Sequence, residues 1–423
     1  MSQTTPAAGG AGARGLAHGL QRMTGRSQHE SNRTATPLEL FFDLTFVIAF
    51  SAAAAEFAHT MKDGHLGAGL IAFVFSMFAV VWAWINFTWF ASAYDTDDWL
   101  FRLTTMVQMV GVLIVAMGIP RLFHSIEEGD YLHNEVMVGG YVVMRVAMVF
   151  QWLRAATQDP PRRESCLLYA KSIAVAQVGW VVLIFLHTSL WVSFVLMVPL
   201  YVIELVGPWS AEHRGEGTPW HAHHVAERHG LLAIIALGEC LIGTIAALSA
   251  LVEAKGWTVD VAVVGLAGTG LAFTMWWLYF TLPSAEVLHR HRRLGFRWGY
   301  GHIAVFMAIA ATGAGLHVAA YYLEHDSVWG PVGVVAATAV PVAAFGLCLG
   351  AFYAMLVGVD GTALFNGIAA LVLLGGAVVL AALGVGVPWC LLVVMLAPVP
   401  TIVTDERVVA RRREERLAAL EAQ

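Results

Sequence analysis

Charge is scarce in this sequence: 13% of its 423 residues are Asp, Glu, Lys or Arg, against 58% hydrophobic, and the mean hydropathy is +0.68. Such a composition cannot cover a folded surface in water, which excludes an ordinary soluble domain. Cysteine is scarcer still. Cys166, Cys240, Cys348 and Cys390 stand singly in or beside apolar runs without C-x-x-C spacing, so neither a disulfide framework nor a zinc site is indicated. Also missing is any basic stripe interleaved with aromatics. With a net charge of −6, nucleic acid is excluded as a partner. There is no Walker loop, no G-x-S-x-G elbow and no H-E-x-x-H pair, so nothing calls for an enzyme, and no cofactor or metal is expected. The first 33 residues are rich in Gly, Ala, Ser and Thr and lack an apolar core. They read as a flexible cytoplasmic tail, ending at residue 35, rather than as a secretory signal.

What the sequence does have is hydrophobic runs of about 20 residues, long enough to cross a bilayer as helix. Candidate spans cover residues 37–58, 68–92, 101–119, 134–156, 166–187, 189–207, 228–250, 259–282, 299–320, 332–356, 364–384 and 387–404. The expected class is an all-α polytopic membrane protein with about twelve transmembrane helices. Pro208 and Pro398 or Pro400 are expected to curtail the sixth and twelfth spans. With the N-terminus inside, 20 of the 24 Lys and Arg residues fall in cytoplasmic segments. This asymmetry predicts a plasma (inner) membrane protein with both termini cytoplasmic. The chain also repeats itself. Glu39 pairs with Glu227, Trp84-Ile85-Asn86-Phe87-Thr88 with Trp277-Leu278-Tyr279-Phe280-Thr281, and Phe101-Arg102 with Phe296-Arg297, at offsets of 188, 193 and 195 residues. Residues 36–210 and 211–404 are therefore expected to form two parallel six-helix repeats, with residues 405–423 as a charged cytoplasmic helix.

Ionisable groups in hydrocarbon are costly unless partnered, so each is a functional candidate. Glu39 and Asp43 lie one helical turn apart on one face. They could bind a cation or relay a proton; alternatively Glu39 caps the helix and Asp43 bonds a neighbour. In His221-Ala222-His223-His224-Val225-Ala226-Glu227-Arg228-His229, helical spacing puts His224, Arg228 and Glu239 on one stripe and His223 and Glu227 on another. No further ligands with diagnostic spacing accompany the histidines, so a pH-responsive cytoplasmic mouth using His223 and His224 is favoured over a metal site. Arg145 and Glu239 fall near the middle of the fourth and seventh spans and are expected to meet, as a structural lock or as a gate. Trp84, Asn86 and Trp277 would line a paired cavity or simply pack. His302 and His317 read as hydrogen-bonded core histidines, and Gly346-Leu347-Cys348-Leu349-Gly350 as a site of close helix contact.

These residues carry a resemblance. Thr36-Pro37-Leu38-Glu39-Leu40-Phe41-Phe42-Asp43-Leu44-Thr45-Phe46-Val47 looks like the first-helix signature of the bacterial low temperature requirement protein A family. The segment from His224 to Glu239 looks like its second, and with Trp84 to Thr88 the resemblance spans roughly residues 35 to 400. His229 and Cys240 stand where an aromatic and a small polar residue would be expected. The resemblance implies an association with growth at low temperature but no particular molecular activity. A weaker likeness runs to two-repeat endosomal and lysosomal potassium channels, whose F-S-D motif here lacks its serine, Phe42 being followed directly by Asp43. The expected function is transport of an ion, proton or small solute through the mid-membrane charges. The alternative is a non-transporting structural or stress-response membrane protein, with a lipid-modifying enzyme behind it. The partners expected are the lipid bilayer and a small solute or ion, with a homo-oligomer left open.

Overall fold

The computed structural model describes residues 19–28, 30, 33–129, 131–359 and 361–404. Among these the chain is helical, without strands. The elements are α1 (Pro37–Lys62), α2 (Leu66–Tyr94), α3 (Trp99–Glu128), α4 (Glu135–Gln158), α5 (Arg163–Leu186) and α6 (Leu190–Glu212). Then come α7 (Ala222–Ala236), α8 (Gly238–Lys255), α9 (Val259–Phe280), α10 (Ser284–Arg290), α11 (Gly295–Leu323), α12 (Pro331–Leu356), α13 (Gly361–Ala382), α14 (Val387–Met395) and α15 (Val399–Thr404). α7 with α8, α9 with α10, and α14 with α15 each make one span, so among the described residues twelve segments are long and apolar enough to cross a membrane. The protein is a multi-pass membrane protein.

Backbone economy explains where these helices begin and end. Hydrocarbon offers no partner to a free N–H or C=O, so helices run until side chains or water can take over. Thr36 caps α1 and Asp98 caps α3, its carboxylate accepting the Phe101 N–H at 2.8 Å. The same principle corrects one expectation. Pro208 does not curtail the sixth span, because α6 continues through Pro199 and Pro208 to Glu212, and α3 likewise runs through Pro120. A proline forfeits one backbone bond, whereas stopping a helix inside the bilayer would expose several. Pro398 does fall at an interruption, between α14 and α15.

Alternating spans give the molecule two faces. On one, Val328 N–H reaches Lys62 C=O at 2.9 Å, tying the loop after α11 to the end of α1. The other, the N-terminal face, carries an irregular strap, of which residues 19–28, 30 and 33–36 are described. Gln21 N–H bonds Asp98, Met23 N–H bonds Gln158 at 2.6 Å, Gly25 N–H bonds Asp159, and Arg26 N–H bonds Ala93 C=O at 3.0 Å. Met23, within this strap, is wholly buried.

α11 is the most enclosed span, packed among α1, α2, α8 and α12, whereas α13 buries only Asn366, Leu374, Ala377 and Ala381. The close approach of α8 to α11 depends on glycine: a Cβ on Gly313 would lie 2.8 Å from the Glu239 backbone. Gly346 and Gly350 make no such contact. A Cβ at either would meet nothing within 4 Å, and both line an apolar groove between α12 and α13. The expected close crossing there is therefore absent.

Candidate functional site

The charged residues of α1 and α7 converge. Thr36 N–H donates to Glu39 Oε2 at 2.7 Å and Glu39 N–H to Thr36 Oγ1 at 3.3 Å, a capping box that fixes the Glu39 carboxylate at the mouth of α1. Asp43 follows one turn deeper on the same face. Across from them His221 caps α7, its Nδ1 accepting the His224 N–H, so His224 and Arg228 stack one turn apart. The geometry is that of the structural reading, in which Glu39 caps its helix and Asp43 bonds its neighbours.

Arg228 sits between the two acids. Its Nη1 lies 3.1 Å from Glu39 Oε1, its Nε donates to Asp43 Oδ2 at 3.1 Å, and its Nη2 donates to Asp43 Oδ1. Trp84 Nε1 donates to the same Asp43 oxygen at 2.6 Å, and His224 Nε2 lies 3.1 Å from Glu39 Oε1. Glu39, Asp43, His224 and Arg228 are all fully buried. Such a cluster is tolerable only because opposite charges balance. Arg33, from the strap, supplies the second cation, 3.8 Å from Glu39 and 3.6 Å from Asp95. The Arg228 guanidinium also lies 5.6 Å from the centre of the Trp84 ring.

A cavity of about 740 Å³, which shares Arg33 and the helix cap His221 with this network, opens between the strap, α7, α9 and α10. Its walls carry Glu30, Arg33, His221, His223, Glu227, Glu286 and His289, with Tyr279, Phe280 and Trp298 among its aromatic lining. Titration at this face is spread out. The hydrogen bond from Arg26 holds Glu30 below the usual carboxylate range, and burial pulls the His221 imidazole down. Burial, and then the Glu39 carboxylate, push the Asp95 carboxyl up to about 6.

The remaining candidates are distributed differently. Glu227 and the exposed His223 line the cavity, His223 with its ring 5.3 Å from that of His289. Asn86 is spent on its own helix, donating to Trp82 C=O at 2.8 Å, and Trp277 packs edge-on against Phe273. Arg145 and Glu239 do not meet. Arg145 Nη2 bonds Glu204 at 2.9 Å and the Tyr141 hydroxyl at 2.7 Å, while Glu239 accepts from Ser51 of α1. The span containing Glu239 is interrupted at Leu237, whose C=O takes the Cys240 N–H in a tight turn. That break ends the stripe running from His224 and Arg228, and Glu239 belongs to the next helix.

Sequence reasoning passed over Glu204, although it is an acid inside an apolar run, as Tyr201-Val202-Ile203-Glu204-Leu205 announces. It also passed over Arg33 and Asp95, which look like loop residues and become buried only because the strap folds back. His302 is hydrogen-bonded in the core as expected, to Trp298 C=O at 2.8 Å and the Tyr279 hydroxyl at 2.9 Å. The four cysteines are free.

Residues 34–398 match the family described as bacterial low temperature requirement A protein (LtrA). One curated relative, named "Uncharacterized protein RA0937", from Rhizobium meliloti (strain 1021), is 26% identical over 307 residues, covering 69% of this chain and 70% of its own length. No solved structure matches the chain. With its two signature segments brought together at the mouth of α1 and α7, and a match over most of its length, the chain belongs to the bacterial low temperature requirement A protein family.

Proposed function

We propose that the chain is a transporter or channel of the plasma membrane, with cytoplasmic termini, that moves an ion, proton or small solute. In this reading the α1–α7 network is its gate. The observation that carries the reading is the position of that network: a fully buried, charge-balanced cluster joins the first and seventh spans and meets, through Arg33, a cavity of about 740 Å³ lined by charged and aromatic residues. A cluster serving only to fasten helices needs no such access. The orientation rests on the 20 Lys and Arg residues assigned to the N-terminal face.

A duplicated architecture is supported by packing order. α3 packs on α1 and α4, and α5 lies between α4 and α6; in the second half α11 packs on α8 and α12, and α13 lies between α12 and α14. Two such units side by side supply the paired halves that alternating-access devices use, with the site between them.

Purified protein in liposomes, screened for ion and proton flux under imposed pH and potential gradients, tests the proposal. Flux above that of empty liposomes is expected. Its absence under every gradient would leave the non-transporting membrane protein as the surviving reading.

A further inference from the structure

We propose that His229 and His302 form an intramembrane proton-binding site, loaded from the cavity through Tyr279. As a step in transport it rests on the reading above; as a binding site it does not.

The hydrogen bonds fix the tautomers. His229 Nδ1 lies 2.8 Å from Val225 C=O, and His302 Nδ1 lies 2.8 Å from Trp298 C=O. Carbonyl oxygens only accept, so both Nδ1 atoms carry hydrogens and both Nε2 atoms present lone pairs. The lone pair of His302 is met by the Tyr279 hydroxyl at 2.9 Å. That of His229 has no partner among the described residues, although the residue is only 1% exposed. An unmet acceptor in the membrane interior calls for a donor.

The surroundings are aromatic, and among the described residues no carboxylate touches either ring, so a proton there is held without a direct counter-ion. The His229 ring lies 4.7 Å from His302, 4.8 Å from Trp84 and 4.6 Å from Trp298, and the His302 ring lies 4.1 Å from Trp298 and 4.7 Å from Phe352. Aromatic rings offset part of the cost of an imidazolium at this position. The ionisable groups facing the pair are Tyr279 on α9, Arg228 on α7 and, across the Trp84 indole, Asp43 on α1; α2 and α12 bring Trp84 and Phe352. Arg228, next in sequence to His229, opposes a second cation, but Asp43 already balances it.

Access comes from Tyr279, which lines the cavity. A hydronium ion in the cavity gives its proton to the Tyr279 oxygen as the original hydroxyl hydrogen passes to His302 Nε2, so two O–H bonds break, one O–H and one N–H bond form, and neutral water remains. The proton then rests on His302, whose ring lies 4.7 Å from that of His229 with its unmet Nε2. A cation at this histidine pair lies one indole away from the Asp43–Arg228 pair and weakens the guanidinium's seat, which couples loading to opening of the network.

The test is nitrogen NMR of histidine-labelled protein in lipid nanodiscs, with His229→Asn and His302→Asn used to assign the signals. On acidification from about pH 8 to about pH 4.5, one imidazolium per chain is expected at this pair, lost in either variant. Both rings remaining neutral in folded protein over that range would overturn the proposal. Tyr279→Phe, which preserves the ring, is expected to slow proton flux in proteoliposomes at least about tenfold. Unchanged flux would overturn the loading route. Titration without any flux would reject the transport reading and keep the site; flux indifferent to both histidines would do the reverse.

Discussion

Two clusters of charge are buried in this bundle, and they differ in what surrounds them. In the first half, Arg145 of α4 and Glu204 of α6 meet at 2.9 Å, with Tyr141 and Trp82 completing the contacts, beside a void of only about 30 Å³. That is room for about one water. The pair joins helices within one half. Arg228, Glu39 and Asp43 instead join the first span to the seventh and meet a cavity of about 740 Å³ through a strap residue, Arg33, which is part of the balance. Similar chemistry thus serves two ends. On the proposed reading, the enclosed pair fastens helices that need never part, and the Arg228 network holds helices that separate during transport.

The largest expected effect comes from removing the cation of the α1–α7 network. Arg228→Met leaves two buried carboxylates facing each other and should cost about 3–5 kcal/mol, seen as a steep fall in thermal stability in detergent or in membrane yield. Arg145→Met should cost about as much alone, because Glu204 is then stranded. Adding Glu204→Leu should recover most of the loss, and flux should match the wild type. Recovery of stability with loss of flux would erase the distinction between the clusters.

A smaller effect is expected at Trp84→Phe, which keeps the ring but removes the N–H held by Asp43. A loss of about 1–3 kcal/mol should accompany altered flux, measurable by thermal melting alongside transport. Smaller again is a pH effect at the strap. The Asp95 carboxyl is raised from an ordinary 3.8 to about 6, so its contribution to stability is complete below about 3.8 and is lost as pH rises through about 6. Melting curves across that window should fall with rising pH by about 1–3 kcal/mol in the wild type, and stay flatter in Asp95→Asn. The smallest effect is Gly346→Ala, which meets only open space and should change stability by no more than about 0.5 kcal/mol.

Much of the fold could be read from the sequence, because hydrocarbon imposes a strong rule: helices of spanning length, apolar throughout. Spacing also placed His224 beside Arg228 and Glu39 beside Asp43 on their helix faces. What spacing could not supply was azimuth. Arg145 and Glu239 have similar depth, but depth does not say which way a helix turns its side chains, and the tight turn at Leu237 separates Glu239 from the face of Arg228. Glu204 was legible by the rule that singled out Arg145 and was missed. Arg33 and Asp95 were not legible, since their burial depends on a strap with no periodic signal. The Gly346–Gly350 spacing permits close packing but does not supply the helix that would use it.

The most direct measurement compares flux in proteoliposomes made from wild type, Asp43→Asn, and the double variant Arg145→Met with Glu204→Leu, each first shown to be folded. If the α1–α7 network is the gate and the Arg145–Glu204 pair a fastening, Asp43→Asn changes flux or its pH dependence at least about tenfold while the double variant matches the wild type. Equal flux from all three, or a loss confined to the double variant, would contradict that assignment.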